Sequence, residues 1–196
     1  MAHILNKYFD HIFVIAHPES LRYTTFNQRW QVLEYKLAKF VKQEEEAWVI
    51  NNYAEHIFEN IPNKIKLFDP LSTGQVCCAI AHMLIYKKII DNKLNNVLIL
   101  EDDSVFNDLS NLEIAIQSNW EILALFTAQC DLFCTPEQAY PYTNLYSKAG
   151  TSAYALKDYK TAENIFSNQI INMNTADGVL MRSNLNIYAV WPPVCS

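Results

Sequence analysis

Residues 95–106 read NNVLILEDDSVF. Val97, Leu98, Ile99 and Leu100 form an unbroken apolar run, and Glu101, Asp102 and Asp103 follow with no spacer. A short apolar run bounded by polar residues predicts a strand buried on both faces. Three adjacent carboxylates repel one another and resist leaving water, so at the end of such a strand they call for a positive partner. If the chain stays extended, side chains alternate, and Glu101 and Asp103 point one way while Asp102 points the other. Hard oxygen ligands at a strand end suit Mg²⁺ or Mn²⁺, held by one or two carboxylates and completed by phosphate oxygens. Such an ion neutralises a departing diphosphate as a Lewis acid. A helix cap or a solvated acidic loop uses the same residue types, so the triplet alone leaves both readings open.

Other side chains capable of chemistry are scattered. His82 lies in VCCAIAHMLIY beside Ala79 and Met83, where a histidine is commonly a hydrogen-bonded core residue. Arg22 follows HPESL; a guanidinium there is ordinarily at the surface, yet it is also the group that pairs best with carboxylate or phosphate oxygens. Asp177, in NTADGVLMRS, and Asp158, ahead of a helical pattern, both read as helix caps on their own. Tyr140, Tyr142 and Tyr146 make an aromatic-rich stretch that could stack on a sugar or simply pack.

The elements that must position these residues alternate in type. Strands are predicted over 11–17, 47–52, 97–100, 121–126, 152–156 and 187–190, the last ended by Trp191-Pro192-Pro193. Helices are predicted over 27–42, where Trp30, Leu33, Leu37, Phe40 and Val41 recur at helical spacing, and over 73–93, with Val76, Ile80, Met83 and Leu84 on the buried face. Two further helices follow, one from the capping box Ser110-Asn-Leu-Glu113 to about residue 118 and one over 160–170. Residues 131–148 read as an ordered excursion. This alternation predicts an α/β fold with a mostly parallel sheet, whose ligands bind beyond the carboxyl ends of the strands, where Glu101 to Asp103 fall. With three glycines in all, and HPESLRY after the first strand, the chain has neither a dinucleotide fingerprint nor a P-loop.

The 196 residues suit one domain, 1–196, and 51% hydrophobic against 18% charged residues is a globular composition. A formal charge of −6 without a basic face argues against a nucleic-acid partner. Glu44-Glu45-Glu46 reads as a solvated helix end. Five cysteines without a CxxC pair support neither a disulfide framework nor a zinc site. Together with the lack of a signal-peptide pattern and of any apolar run near 18 residues, this leads us to expect a cytoplasmic protein, peripheral association with a membrane remaining open.

The segment LSTGQVCCAIAHMLIYKKIIDNKLNNVLILEDD resembles the central signature of family 25 glycosyltransferases, the lipopolysaccharide- and collagen-type sugar transferases, with Gly74, Cys78, His82 and Glu101-Asp102-Asp103 at the matching places. HIFVIAHPESLRY resembles the family's opening strand and its arginine, here Arg22; AGTSAYAL its glycine-then-tyrosine strand, through Gly150 and Tyr154; and TADGVL its later aspartate element, through Asp177. Cys77 and Ala81 stand where the family commonly has glycine and serine, and no histidine follows His82. The resemblance implies a nucleotide-diphospho-sugar transferase (GT-A-like) fold, a UDP-sugar donor, a glycan or glycoconjugate acceptor and a Mn²⁺ or Mg²⁺ cofactor. It implies Glu101 and Asp103 as metal ligands, His17, Arg22, His82 and Asp102 on the donor, and Asp177 as the base that deprotonates the acceptor for transfer of galactose or glucose with inversion. Two other readings stay open at this point: a degenerate protein that only binds nucleotide-sugars, and a metal-dependent hydrolase of nucleotide diphosphates.

Overall fold

The computed structural model describes residues 2–38, 40, 66–67, 73–106, 109, 112–125, 138–141, 151–173, 176, 178, 180 and 183–191. Its strands are β1 (His11–Ile15), β2 (Lys36–Ala38), β3 (Lys66–Leu67), β4 (Val97–Glu101), β5 (Ile122–Ala124), β6 (Gln138–Pro141), β7 (Ala153–Leu156), β8 (Asn172–Met173) and β9 (Ile187–Trp191). Seven of them form one sheet in the order β2-β1-β4-β7-β5-β9-β6, and β3 pairs with β8 separately. β2, β1 and β4 are mutually parallel, as are β5 and β9. β7 runs against both β4 and β5, and β6 runs against β9. The sheet is therefore mostly parallel in strand direction, as expected, with β7 reversed in its middle and β6 reversed at its edge.

Period-two alternation sorts the strand residues into two cores. Phe13, Ile15, Val97 and Ile99 face one side; Ile12, Val14, Leu98 and Leu100 face the other. Among the described residues, helices α1 (Ala2–Tyr8), α2 (Leu21–Arg29), α3 (Thr73–Asp91), α4 (Leu112–Ile116) and α5 (Tyr159–Ile171) cover these faces. α3 packs its Val76, Ile80, Met83 and Ile89 with Ala162 and Ile165 of α5 on the Phe13 side. Leu5, Phe26, Leu112 and Ala115 bring α1, α2 and α4 to the Val14 side. β4 is covered on both faces, which is why its sequence is apolar without alternation.

What delivers β4 to its place is the end of α3. The Lys93 N–H bonds to the Ile90 carbonyl at 3.1 Å and the Leu94 N–H to the Ile89 carbonyl at 2.9 Å, with Lys93 at φ 51°. That is a Schellman closure with lysine where glycine is usual. Asn96, also left-handed at φ 50°, donates its side-chain amide to the Tyr8 carbonyl at 2.6 Å, and its own carbonyl accepts the Asp10 N–H at 3.1 Å. The starts of β1 and β4 are thereby tied together, and their ends fall level.

The helix expected over 27–42 is corrected. The chain is helical over Leu21–Arg29, and Lys36–Ala38 is an edge strand paired to β1. Ser20 caps the helix early, its Oγ accepting the Tyr23 N–H at 3.0 Å, and the helix closes at Trp30 (φ −113°, ψ 35°). Trp30 and Leu33 do enter the core, but Leu37 and Phe40 are 39% and 40% exposed. The open edge of β1 offers backbone hydrogen bonds to this segment, and that tertiary pairing overrides a local spacing that only mimics a helix face. Helix α1 carries no signal noted in the sequence. β6 shows that part of the 131–148 excursion is a strand. The strand expected over 47–52, Glu44 to Glu46 and the capping-box Ser110 lie outside the described residues.

Candidate active site

β1 and β4 are in register with Ile15 opposite Glu101, so the residues just beyond both strands gather at one end of the sheet. Glu101 is the last residue of β4. The Ser104 N–H bonds back to the Glu101 carbonyl at 3.1 Å, closing a turn through Asp102 and Asp103. The extended-chain alternation expected for the triplet therefore stops at Glu101. Because the chain turns, Asp102 and Asp103 reach the same guanidinium: Arg22 Nε lies 3.2 Å from Asp102 Oδ1 and Nη2 lies 2.5 Å from Asp103 Oδ2. Asp102 is 11% exposed, Asp103 48% and Arg22 60%. The Ser20 hydroxyl that caps α2 also donates to Asp102 Oδ2 at 3.3 Å. Ser20 is the N-cap of α2 and Arg22 lies in its first turn, where the helix's partial positive charge suits a carboxylate.

Glu101 faces a different environment. Thr151 Oγ1 donates to Glu101 Oε1 at 2.7 Å, and His82 Nε2 stands 3.3 Å from the same oxygen. His82 Nδ1 lies 2.7 Å from the Tyr154 hydroxyl, which lies 2.7 Å from the Tyr86 hydroxyl. All three rings are buried, each 1% exposed. The backbone holds the turn as well: the Glu101 N–H donates to the Ser152 carbonyl at 2.8 Å, and the Ser104 hydroxyl donates to that carbonyl too.

The electrostatics follow from this placement. Burial pushes the Glu101 carboxyl up, but its interactions with His82, the Thr151 hydrogen bond and the nearby Arg22 outweigh it and hold the group below its ordinary value. Burial and the neighbouring Glu101 carboxylate push Asp103 up, with Arg22 only partly opposing. Three carboxylates against one guanidinium leave negative charge in excess. Carboxylate oxygens in excess of one guanidinium are the donor chemistry a hard divalent cation would require, and Glu101 and Asp103 would be the residues to supply it.

Five of the residues expected at the site are thus brought together: Arg22, His82, Glu101, Asp102 and Asp103. His17 follows β1 at the same end of the sheet, half-buried; its Nδ1 accepts the Glu19 N–H at 3.2 Å and its ring stands edge-on to Phe40 at 5.4 Å. Asp177, Tyr142, Tyr146 and Gly150 lie outside the described residues. Asp158 caps α5, its Oδ1 accepting the Thr161 N–H at 2.8 Å. Cys78, His82 and Glu101 also present ligand atoms within 4.8 Å of one another, but both His82 ring nitrogens are already engaged, which makes the group a brace more than an open ligand set.

Ser20, Thr151 and Tyr86 were not singled out from the sequence. Ser20 had a legible signal, a serine just before a helix start. Thr151 and Tyr86 had none, since their partners are 50 and 68 residues away in the chain.

The acids at the end of β4 and the arginine of the first helix after β1 are residues that the resemblance named, and they lie at one end of the sheet. The family profile of glycosyltransferase family 25 (LPS biosynthesis protein) matches residues 9–182. The chain belongs to glycosyltransferase family 25. Family 25 membership makes it a glycosyltransferase, with a sugar donor and an acceptor as its partners. The mixed sheet with helices on both faces agrees with the GT-A-like fold expected of a family 25 transferase. No curated protein matches the chain. Among the described residues, no helix of this family 25 member is long and apolar enough to cross a membrane.

Proposed function

We propose that the chain transfers a hexose, galactose or glucose, from a UDP-sugar to a hydroxyl of a glycan acceptor, inverting the anomeric carbon with the aid of Mn²⁺ or Mg²⁺. The observation that carries this reading is the carboxylate turn at the end of β4 with Arg22 laid across Asp102 and Asp103. Glu101 and Asp103 would hold the ion, and the chemistry it supplies is neutralisation of the departing diphosphate. Arg22, exposed and forked, is positioned to trade a carboxylate for diphosphate oxygens. Asp102, anchored by Ser20, holds the guanidinium at the site while it does so. His17, at the end of β1, borders the donor on the side where such folds bind the base.

Asp177 takes the acceptor proton in this proposal. The base must stand on the face of the sugar opposite the leaving UDP, and the acids that hold the ion are on the leaving-group side. Asp177→Asn keeps the side chain's shape and removes its basicity. Transfer should fall by roughly 10²–10⁴-fold with UDP affinity unchanged; retained transfer would send the search for the base elsewhere.

The experiment that tests the whole reading is a screen of UDP-hexoses with Mn²⁺, followed by thermal shift and by product analysis. A bound donor at about a hundred times its dissociation constant should stabilise the protein by roughly 2.7 kcal/mol. Slow release of sugar with intact UDP supports a transferase. UMP as product would make the protein a diphosphate hydrolase, and a shift with no product would make it a binding protein.

A further inference from the structure

We infer that Tyr154 and Tyr86 are positioning residues that fix the tautomer of His82 and thereby aim an N–H at Glu101. For its effect on donor binding, this rests on the proposed role of the acidic turn.

The inference follows from counting protons along the buried chain Tyr86–Tyr154–His82–Glu101. Its three links are 2.7, 2.7 and 3.3 Å long. A carboxylate at one end can only accept. If Nε2 carries the imidazole hydrogen, it donates to Glu101, the Tyr154 hydroxyl donates to Nδ1, and the Tyr86 hydroxyl donates to Tyr154. Each hydrogen then has one acceptor. If Nδ1 carries it instead, Nε2 turns a lone pair toward Glu101 Oε1, and two acceptors face each other at 3.3 Å. The first arrangement is the one without that clash.

Both phenols are suited to donate, because burial holds them protonated well above the ordinary tyrosine range. Each donor in such a row polarises the next, so the row as a whole points positive charge at Glu101. It also ties three elements to the acidic turn. His82 and Tyr86 sit one helical turn apart on α3, Tyr154 comes from β7, and Glu101 ends β4. The His82 and Tyr154 rings are stacked at 5.6 Å and 29°, which fixes the imidazole plane. Phenylalanine at either tyrosine position would fill nearly the same volume; what it would remove is the direction of the hydrogen bonds. Groups that stand behind metal- or ligand-holding side chains in this way commonly change affinity about 10–100-fold when lost.

The test is ¹⁵N NMR of the full chain labelled at its five histidines, without metal or nucleotide, with the His82 signals assigned through His82→Gln. In the wild type, Nε2 should be the protonated nitrogen and Nδ1 a hydrogen-bonded acceptor. Tyr154→Phe should move Nδ1 toward the value of an unbonded acceptor or bring in the other tautomer; Tyr86→Phe should move it the same way by less. If Tyr154→Phe does not fold, Tyr86→Phe carries the test. In parallel, Mn²⁺-dependent affinity for UDP should fall roughly tenfold in Tyr154→Phe and less in Tyr86→Phe. His82→Gln, which keeps an N–H for Glu101, should fall less than His82→Phe. A wild-type His82 protonated at Nδ1, or ring nitrogens unmoved by either phenylalanine, overturns the relay. Unchanged UDP affinity in a variant whose tautomer has shifted overturns its positioning role. A wild type that binds no UDP overturns the donor reading instead, and the spectra still decide the relay.

Discussion

Glu101 and Asp103 are two residues apart and carry the same charge, yet the fold treats them as opposites. Glu101 is 22% exposed and held from behind by Thr151 and by His82 with its two tyrosines. Asp103 is 48% exposed and has the exposed guanidinium of Arg22 across it. The carboxyl of Glu101 is pulled below its ordinary value, whereas that of Asp103 is pushed above. One turn of backbone thus divides a repelling triplet into a built-in side and an open side. The built-in side gives geometry; the open side holds the unbalanced charge that a cation and a diphosphate can use. Hydrogen-bonded, buried charge is costly to disturb, while exposed charge is cheap to rearrange.

The substitution expected to break this contrast most is Glu101→Ala. It removes an acid from the proposed site and strands the N–H of His82 and the hydroxyl of Thr151. Transfer should fall by roughly 10²–10³-fold, as when one electrostatic stabiliser is removed. Stability should fall by about 1–3 kcal/mol for the orphaned groups, read as a lowered urea midpoint. A variant as stable as wild type would show that the brace behind Glu101 is not there.

Asp103→Asn should act on function alone. It keeps the shape, relieves the repulsion from Glu101 and Asp102, and leaves no buried donor without an acceptor. The urea midpoint should stay within about 0.5 kcal/mol of wild type or rise, as is usual for surface substitutions. A loss as large as that of Glu101→Ala would mean that the two acids are equivalent and that the division drawn here is wrong.

Arg22→Ala sharpens the open side. A charge-assisted hydrogen bond contributes about 1.5–3 kcal/mol, so UDP affinity should weaken by roughly 10–100-fold while uridine affinity stays level. Competition binding with the two ligands reads the difference. Equal losses would place Arg22 in support of the base pocket or of the fold.

The two sides also differed in how far the sequence disclosed them. The apolar run into Glu-Asp-Asp marked the end of β4, because a strand covered on both faces leaves an unmistakable composition. Arg22 was named through the resemblance, and Ser20 was missed because the helix was expected to begin at residue 27 and begins at Leu21. The brace could not be read directly: Thr151 and Tyr86 meet their partners only through the order of strands β4 and β7 and the packing of α3. The error over 27–42 has the same origin. Leu37 and Phe40 continued a helical spacing, and nothing local said that β1 had an edge to be filled. Nor did the alternation rule foresee that the triplet would turn and give Asp102 and Asp103 one guanidinium to share.

Calorimetry of UDP binding to wild type and Asp103→Ala, each with Mn²⁺ and with chelator, tests the proposed donor site most directly. Wild type with Mn²⁺ should bind tightly, and the other three conditions should be weaker by roughly 10-fold or more, since phosphate oxygens and the open carboxylate complete the shell of one hard cation. Equal affinity in all four would contradict a metal-assisted diphosphate site at the end of β4.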